Sequence, residues 1–293
     1  MPELWWCYPI LGASAGLLAG LLGVGGGLII VAALAWLLPM QGVPAHATMH
    51  VALATSLASI VLTAVSSGSA HHRRRAVLWP SVAWLVPGML VGAWSGAWIA
   101  GSMDAVGLRA FVAIFCLFAA WQLWRGRRED REPGERVEPR GLLLSATAVI
   151  IGTVSALVGI GGGSLTVPLL IARGARAVHA VGTSAVCGFF IGIASAAGYA
   201  SLVPTTALGP DFIGYLYWPG ALLLAIASVM TAPLGARLAH RLRGAHLQRL
   251  FAFFLLVMAA MVWFAPHREA QPGASIASIE HRAGNRMSTA SGR

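Results

Sequence analysis

The chain has 293 residues, of which 57% are hydrophobic and 10% charged, against about 25% charged in an ordinary soluble domain. Its net charge of +10 comes from twenty arginines and no lysine against ten acids, and the arginines stand at the ends of apolar runs, where membrane proteins use them to fix orientation. This excludes a soluble globular domain and a nucleic-acid-binding protein, and predicts an all-α polytopic protein whose main partner is the lipid bilayer.

In chain order the apolar segments are Pro9–Leu38, Ala47–Ser69, Val77–Ala100, Val106–Trp124, Gly141–Ile171, Val178–Leu202, Phe212–Leu238 and Leu247–Ala265. The opening stretch MPELWWCYPI lacks the basic region of a signal peptide, so the first segment is expected to be kept. RGRREDREPGERVEPR divides the segments four and four and cannot bury itself. The expected organisation is a first membrane repeat over 1–124, a charged linker over 125–140, a second repeat over 141–266, and a polar, disordered tail over 267–293. Tryptophans at segment ends suit an interfacial belt, and Gly88, Gly92 and Gly96, spaced by four, suit close helix contact. Cys7, Cys116 and Cys187 lie far apart in apolar surroundings and are expected to pack rather than pair or bind metal.

The halves are alike. Gly23–Gly27 matches Gly159–Gly163, Ala54-Thr55-Ser56 matches Gly182-Thr183-Ser184, Trp79-Pro80 matches Trp218-Pro219, and LRAFVAIF matches LQRLFAFF, always in the same order. Colinear likeness of this kind is the mark of an internal repeat.

The first segment of each half is too long. The 30 residues of Pro9–Leu38 would make a helix about 45 Å long in a hydrocarbon core about 30 Å thick. Each such segment carries four glycines within five residues near its middle, and glycine costs roughly 1 kcal/mol in a helix interior, so a break is expected there. The two pieces either continue across the membrane or turn back as a re-entrant pair. Counting arginines near segment ends, eight full crossings would put 10 on one side and seven on the other; two re-entrant pairs would put 15 on one side and two on the other. The positive-inside rule favours the second arrangement, in which each half has one re-entrant pair and three spanning helices and the second half is inverted.

Broken backbone inside a membrane must line a polar cavity or face protein. The half-helices starting near Leu28 and Ser164 would present free N–H groups and positive dipole ends, which suit an anion. The candidate substrate-binding residues are Gly25, Gly26 and Gly27, Gly161, Gly162 and Gly163, Ser164, and the hydroxyls of Thr55, Ser56, Thr183 and Ser184. Those hydroxyls can equally bond a carbonyl of the preceding turn. His50 and His179 are candidates for proton coupling, or else satisfied core histidines. No acidic residue lies in a spanning run, which argues against a cationic substrate and against a carboxylate pair for hydrolysis. A dinucleotide fingerprint needs a third glycine where Leu28 and Ser164 stand. The expectation is a carrier, with neither enzyme activity, cofactor nor metal.

GVGGGLIIV and GIGGGSLTVPLL, followed by ATSLASI and GTSAVCG and repeated at half length, resemble the TauE/SafE sulfite-exporter family, also called the toluenesulfonate uptake permeases. The resemblance runs from about Leu11 to Phe264, and departs from the motif where Ala32 replaces the proline found at Pro168. It implies a prokaryotic inner-membrane secondary carrier for sulfite, organosulfonates, sulfoacetate or related small organic anions. A passive anion channel and a non-transporting membrane assembly subunit are the alternatives; the substrate, direction, coupling ion and oligomeric state, a homodimer among them, stay open.

Overall fold

A computed structural model describes residues 5–22, 26–125, 138–204, 208–239 and 244–265. The linker, except for its ends, the tail and Gly25 lie outside these residues. Ten helices follow in order: α1 (Cys7–Leu22), α2 (Gly27–Met40), α3 (Ala45–Arg73), α4 (Trp79–Ser102), α5 (Ala105–Arg125), α6 (Leu142–Val158), α7 (Gly163–Ala172), α8 (Ala177–Ser201), α9 (Trp218–Ala239) and α10 (Gly244–Trp263). Among the described residues, Ala45–Arg73, Trp79–Ser102, Ala105–Gln122 and Val178–Ser201 are long and apolar enough to cross a membrane.

Both over-long segments are interrupted at their glycines. Gly26 caps the start of α2 and Gly162 the start of α7, each in the left-handed region, at φ 61° and φ 75°. Gly159, at φ 79°, ends α6. Side chains with a Cβ avoid this region, so glycine is what lets the chain turn here. Elsewhere the starts follow local chemistry. Asp104 Oδ1 accepts the Gly107 N–H at 3.1 Å at the head of α5, an N-cap that also sets a negative charge at the positive dipole end. Pro80 sits in the first turn of α4, where its missing N–H is no loss.

The segment read as Phe212–Leu238 is not helical throughout. Phe212–Ile213 and Leu216–Tyr217 form a two-residue antiparallel pair, β1 and β2, with Phe212 opposite Tyr217, and α9 begins only at Trp218. Gly214 makes the turn at φ 58°, pressed against the last carbonyls of α8; a Cβ there would lie 2.5 Å from the Ala200 oxygen.

The halves interleave. α1 packs on α9, α6 on α4, α3 on α8, and α5 on α10. The α4–α6 seam is made by glycines on both helices: a Cβ on Gly96 would lie 2.7 Å from the Thr153 carbonyl oxygen, and one on Gly152 2.6 Å from that of Met89. The α1–α9 seam is similar, with Gly12 2.5 Å by the same measure from the Leu224 oxygen and Gly16 2.6 Å from the Ser228 Cα. Such close backbone approach is how helices associate where lipid offers no hydrophobic drive. α3 is the most buried of the long spans, while Trp94, Trp98, Ile114, Phe118, Ile226 and Met230 face outward, as a lipid-exposed surface requires.

Cross-links fix the helix ends. Tyr8 Oη donates to Gln41 Oε1 at 2.7 Å, joining the start of α1 to the end of α2. His50 near the start of α3 meets the Ala100 carbonyl near the end of α4, and Arg109 near the start of α5 donates to the Ala265 carbonyl just past α10, at 2.8 Å. At the other end, Ser81 donates to the Pro139 carbonyl at 2.8 Å, bringing the start of α4 beside the chain that enters α6.

Candidate functional site

The two glycine breaks meet. Gly27 has no room for a side chain because the Gly159 carbonyl occupies the place of its Cβ. Ser56, buried on α3, lies between them, its Oγ 3.1 Å from the Gly27 oxygen and 3.1 Å from the Gly159 oxygen. One hydroxyl proton thus serves the Gly159 carbonyl, freed at the end of α6, and the carbonyl of the first residue of α2. Nearby, Gly161 contacts Ile60 of α3, and its carbonyl reaches Gly188 of α8. The interior helices of both halves therefore close on the broken segments.

The surroundings of the two helix starts differ. A Cβ on Gly26 would lie 2.5 Å from the Ala15 oxygen and 3.1 Å from the Ala19 methyl. One on Gly162 would lie 2.5 Å from the Ile191 Cδ1 and 3.5 Å from each of two hydroxyl oxygens, Ser155 Oγ and Thr166 Oγ1. Both residues are wholly buried, and neither hydroxyl has a hydrogen-bond partner; the same holds for Ser164 Oγ and Ser195 Oγ. Leu165 and Thr166 turn their amides onto the Gly162 carbonyl, at 3.1 and 2.8 Å. Helix geometry gives the Gly163 and Ser164 amides no acceptor within α7.

The other named hydroxyls are committed to backbone. Thr55 Oγ1 accepts the Tyr217 N–H at 3.3 Å, and Thr183 Oγ1 accepts the Leu78 N–H at 2.9 Å. Each of those amides belongs to the residue just before a Trp-Pro pair that opens a helix, α9 and α4, so each threonine caps a helix of the opposite half. Ser184 is buried beside Thr183. His50 is buried, with Nε2 2.9 Å from the Ala100 oxygen and its ring stacked on Tyr215 at 4.9 Å. It stands six residues before Ser56, about 9 Å along the helix axis. His179 is half-buried near the start of α8. The structure thus gathers Gly27, Ser56, Gly159, Gly161 and Gly162 at the centre, with the histidines nearer the ends.

Three residues beside the second break were not singled out from the sequence: Ser155, Thr166 and Ser195. Ser155 precedes Gly162 by seven residues and Thr166 follows by four, a spacing legible once Gly162 is known to turn the chain. A groove of about 310 Å³ approaches the same region from the end of α3, lined mainly by apolar groups that include Ala64, Gly68, Trp79, Phe189 and Phe190.

Among the described residues no acid stands near the breaks, whose main electrostatic features are two positive helix starts and the freed Gly159 carbonyl. Interrupted helices meeting inside an apolar bundle define a multi-pass membrane transporter, in which irregular backbone is tolerated where it lines a site. The family model described as "Sulfite exporter TauE/SafE" matches residues 8–262. A "Probable membrane transporter protein" of Haemophilus influenzae is 34% identical over 251 residues, covering 85% of this chain and 94% of that one. Proteins of the same description in Methanocaldococcus jannaschii (26% identical, 85% and 91% covered) and Xylella fastidiosa (28%, 86% and 92%) are also similar. No solved structure matches the chain. The chain belongs to the TauE/SafE family.

Proposed function

We propose that the protein is a secondary carrier for a small anion, a sulfite, organosulfonate or related organic acid, in the inner membrane. The observation that carries this reading is the meeting of two glycine breaks inside the bundle: each begins a helix whose amides point inward, with no acid to compete for them. The substrate-contacting groups would be the Gly25–Gly27 and Gly161–Gly163 backbones with Ser164. Ser56, Ser184, Thr55 and Thr183 would hold the surrounding helices and could turn to the substrate when they separate.

The helix ends support re-entrant pairs in an inverted repeat. Tyr8 and Gln41 meet, so α1 enters and α2 leaves at one end. The chain before α6 touches Ser81, and Leu170 and Ala175 around the end of α7 share a cluster with Leu78, at the opposite end. α3 starts beside the end of α4, whereas its counterpart α8 starts beside the beginning of α4. Contacts repeat across the halves as well. Gly16 meets Ser228 and Gly152 meets Met89, which are equivalent pairs under the sequence match; so are Thr55 with Tyr217 and Thr183 with Leu78. Arg73, Arg74, Arg75, Arg140, Arg173 and Arg176 then fall at one end and Arg109 at the other, which assigns the arginine-rich end to the cytoplasm. Alternating access would come from one half rocking against the other.

The test is uptake of radiolabelled sulfite and of organosulfonates by proteoliposomes. A carrier saturates and shows counter-transport; Gly162→Leu abolishes the flux while folded protein remains, whereas Gly26→Leu meets the Ala15 carbonyl and costs stability as well as flux. Unchanged flux in both variants overturns the site. Conductance without saturation indicates a channel, and no flux of any anion indicates an assembly subunit. Single cysteines at Trp5 and Gln41 should label from the same face.

A further inference from the structure

The two breaks share their glycines but not their chemistry. Under the match of Gly23–Gly27 with Gly159–Gly163, Ser155, Ser164 and Thr166 correspond to Ala19, Leu28 and Ile30. These three hydroxyls of the second broken segment are apolar groups in the first. The surroundings follow the substitution: a Cβ on Gly26 would meet the Ala15 carbonyl and the Ala19 methyl, while one on Gly162 would meet the movable tip of Ile191 and then Ser155 Oγ and Thr166 Oγ1.

Buried hydroxyls without partners are costly, about 1–3 kcal/mol each, and natural proteins keep few of them. Here Ser155 Oγ and Thr166 Oγ1 each lie 3.5 Å from where a Gly162 Cβ would stand, and Ser164 Oγ, in the first turn of the same helix, is likewise buried without a partner. Ser155 and Thr166 have the usual escape of a helical Ser or Thr, a bond to the carbonyl four residues back, and neither takes it. Ser195 lies on α8 between Ile191, which touches Gly162, and Tyr199, whose hydroxyl reaches the Ala156 carbonyl at 3.1 Å, so its side chain belongs to the same wall.

We propose that substrate binding is one-sided: a single oxyanion head binds at the second break, donated to by Ser155 Oγ, Thr166 Oγ1, Ser164 Oγ and the opening amides of α7, and the first break is a support. This rests on the carrier reading and narrows its substrate contacts from both breaks to the second. A hydroxyl donates one proton, so three hydroxyls and two amides suit a head with two or three terminal oxygens and no donor of its own, such as a sulfite, a sulfonate or a carboxylate. An ammonium or a zwitterion's cationic end finds no carboxylate here. Ser56, which bonds the carbonyls of both breaks, ties the support to the binding side.

The experiment measures binding of sulfite, sulfoacetate, benzenesulfonate and acetate to the full-length protein in nanodiscs by titration calorimetry, with uptake in proteoliposomes alongside. Ser155→Ala and Thr166→Val should each weaken the best-bound probe about tenfold or more, and Thr166→Ser should restore most of the loss. Ala19→Gly and Ile30→Val, at the first break, should change affinity less than twofold. Thermal unfolding of each variant checks that the fold is kept. If the second-break variants bind as the wild type does while Gly162→Leu still abolishes uptake, the hydroxyls hold water only and the one-sided site is wrong, though the carrier stands. Equal losses from first-break and second-break variants also overturn it. If the wild type neither binds nor moves any of the four probes, the carrier reading fails and this inference falls with it.

Discussion

Along the α4–α6 seam and at the two breaks the same amino acid answers opposite needs. Gly88, Gly92, Gly96 and Gly152 have ordinary helical backbones and are required because a neighbouring main chain stands where a side chain would go. Gly26, Gly159 and Gly162 have left-handed backbones, and at Gly162 the obstacle to a side chain is the movable tip of Ile191. The first group is intolerant of volume; Gly159 and Gly162, obstructed by side-chain tips, are intolerant of chirality; Gly26, which meets the Ala15 carbonyl, is intolerant of both. Substitutions at the seam should therefore destroy the fold, and substitutions at Gly162 should spare much of it while altering function.

Five substitutions break or sharpen this comparison. Gly92→Leu meets the Val149 backbone, which cannot move without displacing α6, so the loss should reach or exceed about 3 kcal/mol, the upper range for overpacking. Size-exclusion chromatography in detergent should show little monodisperse protein. Gly162→Ala should cost about 1–2 kcal/mol, the penalty of a left-handed backbone. Its thermal midpoint should fall modestly while its uptake rate falls at least tenfold. A seam-like collapse of this variant would erase the distinction. Thr55→Val and Thr183→Val each leave a helix-start amide without its acceptor and should cost about 1–3 kcal/mol. Under the proposed repeat the two contacts are equivalent and their thermal shifts should agree; a large difference would weaken the repeat. Tyr8→Phe removes one hydrogen bond near an end, worth about 0.5–1.5 kcal/mol, and should give the smallest shift.

The breaks were legible in the sequence because four glycines in five residues leave a helix little choice, whereas the Trp-Pro pairs that open α4 and α9 were read only as a match between the halves, inside longer apolar segments. The packing role of Gly88, Gly92 and Gly96 was legible from their spacing alone. What could not be read was the partner of each hydroxyl. Thr55 and Thr183 find theirs more than a hundred residues away, at helix starts that only the interleaved packing brings near. Ser155 and Thr166 look like ordinary helical residues that bond back to their own turn, and only the turn at Gly162 gives them a common direction. The β1–β2 pair was hidden because two-residue strands carry no periodicity inside an apolar run.

The interleaving has a consequence for biosynthesis. α1 finds its main packing surface on α9, roughly 200 residues later, which at about 5–20 residues per second is a delay of roughly 10–40 s. During that interval the glycine face of α1 has no mate, and an emerging first half cannot reach its native arrangement by itself. Assembly must be a late event, completed when α9 is released from the translocation machinery and slots in beside the oldest helix of the chain.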